Sequence, residues 1–242
     1  MARRLLGPTF IDDCSQQQAA DFAALRIATR EPAQIVTLNA LMFNAVLADA
    51  KIKKAVADAA LIVADSIGIQ WAARILCGIR LSRITGIDFI YELSQRAKVN
   101  GWRVFLLGAK PGIAESAGMR LVSLFPGLIV VGTHHGYFTD HDAIIAHIKS
   151  VKPDVLFAGL SMPEQEMWIA TNLLSMNVPV VVGVGGSFDV ISGGLKRSPL
   201  WMRSTGLEWL FRLIIQPWRI GRIIQLPRFV YNVIKLKIKG QD

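Results

Sequence analysis

Short β-branched runs alternate with longer amphipathic segments along most of the chain, and this alternation predicts βα units on a mostly parallel sheet. Strands are predicted at 34–37, 61–64, 103–107, 129–132, 154–158 and 178–182, with helices at 41–59, 67–78, 87–100, 113–125, 140–151 and 163–176. The fold class is therefore α/β: a Rossmann-like open sheet flanked by helices. Past Gly193-Gly194 the composition shifts to Arg, Trp and Ile, and Pro199, Pro217 and Pro227 divide this C-terminal stretch into short helical pieces. The predicted organisation is an α/β domain over residues 1–194 and a basic amphipathic helical appendage over residues 195–242.

Each predicted strand ends in a polar or glycine-containing junction. These are Thr37-Leu-Asn39, Asp65-Ser-Ile-Gly68, Gly108-Ala-Lys-Pro-Gly112, His135-Gly-Tyr-Phe138, Gly159-Leu-Ser161 and Gly183-Val-Gly-Gly-Ser187. Open parallel sheets bind ligands beyond the carboxyl ends of their strands, so the junctions outline one crevice.

Charge sharpens the division. The net charge is +9, and ten basic residues against two acids from Val190 onward account for +8 of it. The tail interleaves those cations with Trp201, Trp209, Phe211, Trp218, Phe229 and Tyr231, the composition of a helix lying in an anionic headgroup layer. Packing against the body or a second copy of the chain is the alternative use for such a surface. Nucleic acid fits poorly, because aliphatic residues outnumber polar base-reading ones. No apolar run reaches the roughly 18–20 residues needed to cross a bilayer. Pro8, Asp12 and Asp13 interrupt the first segment well short of a signal peptide. The expected location is the cytoplasm, peripheral to the inner face of the membrane. Cys14 and Cys77 have neither disulfide-framework nor zinc-site spacing, and no metal or cofactor is called for.

Asp65 directly follows the apolar strand Leu-Ile-Val-Ala, where its carboxylate is either a general base projecting into the crevice or the cap of the next helix. The loop Gly108-Ala-Lys110-Pro111-Gly112 presents backbone N–H groups at a helix start, as a phosphate site does, or is a plain βα turn. Gly185 and Gly186 give a second such loop. Arg83, with Arg80, is either a surface cation or a bidentate phosphate ligand. His134, His135, His141 and His147 read as loop hydrogen-bonding residues. Glu164 and Glu166 favour the positive end of a helix dipole, leaving Gln165 for a hydroxylated ligand or a cap.

Taken in order, these segments resemble the WecG/TagA/CpsF glycosyltransferase family, glycosyltransferase family 26, from about residue 35 to 229. The matching segments are Thr37-Leu-Asn39, Ala64-Asp65 with Gly68, Arg83-Ile-Thr-Gly-Ile-Asp88, Phe105-Leu-Leu-Gly108 through Pro111-Gly112, and Gly132 with His135-Gly-Tyr-Phe138. They continue with Pro153-Asp154 through Gly159, Pro163, Gln165-Glu166 and Trp168, then Gly183-Val-Gly-Gly-Ser-Phe-Asp189, Arg197-Ser-Pro199 and Gly206-Leu-Glu-Trp-Leu-Phe-Arg212. Ser66 and Ser161 depart from the pattern, which has glycine at both places.

The resemblance implies an inverting, metal-independent transferase. It would move a hexose or N-acetylhexosamine from a UDP-sugar to an undecaprenyl-diphosphate-linked sugar in surface polysaccharide synthesis. It implies Asp65 as base, with Thr37, Asn39 and Gln165 lining the pocket and Arg83 on a phosphate. Tyr137 and Asp189 would lie near the nucleotide, and Arg212, Arg219 and Arg222 near the acceptor diphosphate. The competing reading is a non-catalytic nucleotide-binding regulator whose tail docks on a membrane or partner. A nicotinamide enzyme is disfavoured because no GxGxxG follows the first predicted strand.

Overall fold

The computed structural model describes residues 1–240, the side chains of Arg219 and Arg222 excepted. An antiparallel hairpin, β1 (Ala2–Leu6) and β2 (Thr9–Asp13), precedes α1 (Gln16–Thr29). The βα units come next: β3 (Ala33–Leu38) with α2 (Ala40–Ala48) and α3 (Ala50–Ala57); β4 (Leu61–Ala64) with α4 (Ile67–Cys77) and α5 (Gly86–Asn100); β5 (Arg103–Gly108) with α6 (Ile113–Leu124). They continue with β6 (Ile129–His134) and α7 (His141–Val151), β7 (Val155–Gly159) and α8 (Glu164–Met176), and β8 (Val180–Gly183) and α9 (Ser187–Ile191). The tail contributes α10 (Leu200–Ser204), α11 (Glu208–Ile215), a 3-10 turn at Pro217–Arg219, α12 (Ile220–Ile223) and α13 (Gln225–Lys239).

The main sheet has six strands in the order β4-β3-β8-β7-β5-β6, every pair parallel. Its central strands are buried on both faces, so they read as continuous apolar runs rather than alternating ones. Ile35, Val63, Leu106, Phe157 and Val182 face α1, α5, α6 and α9. Val36, Leu38 and Ile62 face α2, α3, α4 and α13, while Phe105, Leu107, Leu156 and Val181 face α7 and α8. Register aligns the strand ends: Leu38 pairs with Ala64, Val36 with Gly183, and Ala158 with Gly183. The next residues along the chain, Asn39, Asp65 and Val184-Gly185, thus emerge at one edge of the sheet.

Two features differ from the sequence pattern. The expected helix over 41–59 is two helices, because the Asp49 side chain accepts the N–H groups of Lys51 and Ile52 and starts a new helix from an extended residue. The hairpin before residue 14 has no counterpart among the predicted strands. It covers the exposed edge of β4: Arg3 forks onto Asp12 at 2.9 and 2.8 Å, and Asp12 Oδ2 accepts the Ile62 N–H at 2.8 Å. Pro227, as expected, marks a division: α12 ends at Ile223, and Pro227 falls in the first turn of α13, where a missing N–H breaks no helical bond.

The end of the tail packs into the same core as the body. Phe229 and Val233 are buried, and the Phe229 ring stands edge-on to Phe43 with centroids 5.3 Å apart. Asn44, buried on α2, sets the register of this contact by donating to Gln225 O at 2.9 Å and accepting from Asn232 Nδ2 at 3.0 Å. Helix α13 thus shares a hydrophobic core with the body.

Candidate active site

Asp65 occupies the strand-end position expected of it. Its N–H donates to Leu38 O at 2.9 Å, continuing the ladder one residue past β4, and its Oδ1 accepts the Gly86 N–H at 3.2 Å. The side chain is half-buried. Of the two readings open for Asp65, the cap belongs to its neighbour: Ser66 accepts the Ile69 N–H and begins α4. Burial pushes the Asp65 carboxyl up to about 6, against the opposing pull of Arg83, the Gly86 N–H and Arg212, with Glu208 adding to the rise. A carboxylate tuned to that range is ionised at neutral pH and still accepts a proton readily.

Arg83 does not present a free guanidinium to a phosphate. Its Nε donates to Asp65 O at 2.9 Å, Nη1 to Arg203 O at 2.8 Å and Nη2 to Glu208 Oε2 at 2.6 Å. It is a strut joining the strand end to α10 and α11, and so it holds the tail over Asp65. Arg212 lies next to it, its Nη2 3.7 Å from Glu208 Oε1. Arg219 and Arg222 sit in the 3-10 turn and α12, and their expected contacts fall outside the described side chains.

Two further expectations are corrected. Gln165 is 2% exposed and not available to a ligand: Oε1 accepts the N–H groups of Leu160 at 3.1 Å and Gly185 at 3.0 Å, tying the ends of β7 and β8 together. Thr37 is also buried, with its hydroxyl donating to Gly183 O at 2.8 Å. Both build the floor of the crevice rather than its surface. Asn39 caps α2 through Oδ1, accepting from Leu41 and Met42 at 3.1 Å each, and follows Leu38 as Asp65 follows its register partner Ala64.

The glycine loops are shaped by backbone contact. Gly108 has φ 139°, and a Cβ there would overlap the Gly159 carbonyl, so only glycine lets β5 and β7 end this close. Lys110, Pro111 and Gly112 are exposed, and α6 starts without a side-chain cap, its first N–H, that of Ile113, donating to Lys110 O at 3.1 Å. The loop of residues 135–138 is joined to this one by the Gly136 N–H on Ala109 O at 2.8 Å. Tyr137 is 68% exposed beside a hollow of about 420 Å³ lined by His134, His135, Phe138, Asp140 and His147. His134 and His135 act as loop hydrogen-bonding groups, His135 Nδ1 accepting the Tyr137 N–H and His134 Nδ1 meeting His135 O, whereas His141 and His147 lie on α7, where His141 Nδ1 accepts from Trp168 Nε1 and His147 stands edge-on to Phe105. Gly185 and Gly186 lead into α9, which carries Asp189 in its first turn.

Two acids have surroundings the sequence did not indicate. Glu166 lies in the first turn of α8, as expected, but is 0% exposed. Burial pushes its carboxyl up to about 7, against the hydrogen bond from Gln165 Nε2. Glu208 pairs with Arg83, and its available signal was being the lone acid between residues 190 and 241. Among the described residues, no group of three or more His, Cys, Asp or Glu could hold a metal ion.

A Rossmann-like parallel sheet with a half-buried carboxylate at a strand end, overhung by arginine-bearing helices, places the chain among α/β proteins with a strand-end crevice. Residues 3–242 match the Glycosyl transferase WecG/TagA/CpsF family, and the chain belongs to it. Among similar proteins are two from Staphylococcus aureus, strains NCTC 8325 / PS 47 and MRSA252. Each is 36% identical over 206 residues, covering 85% of this chain and 81% of the relative. Both are named N-acetylglucosaminyldiphosphoundecaprenol N-acetyl-beta-D-mannosaminyltransferase.

Proposed function

We propose that this protein is an inverting glycosyltransferase that moves an N-acetylhexosamine from a UDP-sugar to an undecaprenyl-diphosphate-linked sugar. The names of its relatives make N-acetylmannosamine the first donor sugar to test, and an N-acetylglucosamine-bearing lipid diphosphate the first acceptor. The observation that carries the reading is Asp65, half-buried at the end of β4 with its proton affinity raised to about 6.

In this scheme the acceptor hydroxyl oxygen attacks the anomeric carbon as its proton passes to Asp65. The bond from that carbon to the UDP oxygen breaks, and UDP departs with the electron pair. One displacement on the face opposite the leaving group inverts the anomeric centre. The departing diphosphate is met by the positive end of α6 and by the tail arginines, led by Arg212. This arrangement needs no bound metal.

The lipid half of the acceptor accounts for the outer surface of the tail. Helix α13 buries Phe229 and Val233 against the body and exposes Tyr231 and Ile238 on its other side, with Trp201, Trp218 and Ile224 exposed nearby. No helix among the described residues is long and apolar enough to cross a membrane. We read the tail as resting in the headgroup layer, where aromatic and basic side chains together hold a protein reversibly.

The test is to incubate the protein with UDP-sugars and lipid-diphosphate-sugar acceptors in detergent, with and without EDTA, and measure UDP release and the anomeric configuration of the product. Acceptor-dependent UDP release with inversion, unaffected by EDTA, is expected. UDP binding without sugar transfer on any acceptor would support a nucleotide-binding regulator instead.

A further inference from the structure

Glu208, the first residue of α11, has no part in the scheme above. It is nevertheless placed at the centre of the charges around the base. Its Oε2 is 2.6 Å from Arg83 Nη2 and its Oε1 3.7 Å from Arg212 Nη2. The side chains of Arg83 and Glu208 are only 19% and 16% exposed, so their pairing is little screened by solvent.

The hydrogen bonds of Arg83 go to two main-chain carbonyls and to Glu208. Among the described residues, none from either arginine reaches the Asp65 carboxylate, which accepts from the Gly86 N–H. A carboxylate facing two uncompensated guanidinium groups would be held low and would accept a proton poorly. Glu208 is the one acid in this part of the tail, and it lies against both of them.

We propose that Glu208 is a positioning residue: docked with α11, it draws the Arg83 and Arg212 guanidinium groups onto itself and so keeps Asp65 basic enough to take a proton. The tail then does more than cover the crevice, because it brings a counter-charge that adds to the effect of burial on the base. The charged groups acting on Asp65 agree in sign. Arg83, from the loop before α5, and Arg212, from α11, favour its ionised form, and Glu208 opposes it. The catalytic meaning of this device rests on the transferase reading, but the device itself concerns one proton and is measured without turnover.

The test labels the aspartate carboxyl carbons with ¹³C and tracks the Asp65 resonance, identified by its loss in Asp65→Asn, across a pH titration. In Glu208→Gln the midpoint is expected to fall by about half a pH unit or more, and in Arg212→Gln to rise. Glu208→Asp should restore part of the difference. In the transferase assay the acid limb of kcat/KM should move with each midpoint, which a purely structural role would not produce. A folded Glu208→Gln protein with the parent midpoint overturns the proposal. Should that variant not fold, an unmoved or lowered midpoint in Arg212→Gln overturns it equally. A parent protein that titrates as expected but transfers no sugar would refute the transferase reading and leave this one standing.

Discussion

Phe229 in α13 stands edge-on to Phe43 in α2, and α2 is capped by Asn39, which follows Leu38 as Asp65 follows its register partner Ala64. The last helix of the tail is thereby fastened to an element that frames the crevice. Phe229→Ala should cost roughly 3 kcal/mol or more, because it removes a large ring from the core. Calorimetry would show a melting midpoint lower by roughly 6–12 °C. Tyr231→Ala, on the exposed side of the same helix, should leave the midpoint unchanged; equal losses from the two would contradict this packing.

Gly108 and Gly112 bracket one loop but answer to different constraints. At Gly108 a Cβ meets the Gly159 carbonyl, whereas at Gly112, φ 83°, nothing lies within 4 Å. Gly112→Ala should cost only backbone strain, about 1–2 kcal/mol. Gly108→Ala must also force β5 and β7 apart and should fail to give soluble folded protein. Comparing soluble yield and denaturant midpoints of the two variants checks the difference.

Glu166 makes stability depend on pH. Its carboxyl rises from 4.5 in the unfolded chain to about 7 in the folded protein, so between those values the folded state binds more protons. Stability should therefore be fully present below about pH 4.5 as far as this group is concerned, and decline as pH rises through 7. Glu166→Gln cannot ionise, so its stability relative to the parent should improve from pH 5 to pH 8 in urea titrations. A constant difference between the two across that range would show that Glu166 does not titrate as described.

Much of the fold was legible because its central strands are buried on both faces: Val155–Gly159 and Val180–Gly183 are unbroken apolar runs ended by polar or glycine junctions. The hairpin was not, since β1 is Ala-Arg-Arg-Leu-Leu and gains its place only when Arg3 meets Asp12 across the turn. Asp49 hid a helix break for a similar reason: a single capping carboxylate outweighs the apolar pattern running through it. The site was half legible. Asp65 could be placed by its position after a strand, but polar residues beside it were read as facing the ligand. Thr37 and Gln165 face the sheet because the carbonyl of Gly183 and the N–H of Gly185 need partners there. Which way a strand-end polar residue points depends on backbone groups brought from distant strands, and local sequence does not record them.

The central claim is that the Asp65 carboxylate takes the acceptor proton. The direct measurement is the turnover rate of Asp65→Asn against the parent, on the same UDP-sugar and lipid acceptor, with circular dichroism to confirm the fold. The variant keeps an oxygen to accept the Gly86 N–H but is no longer a carboxylate base. The rate should fall by about 10²-fold or more. A folded Asp65→Asn protein turning over near the parent rate would contradict the account.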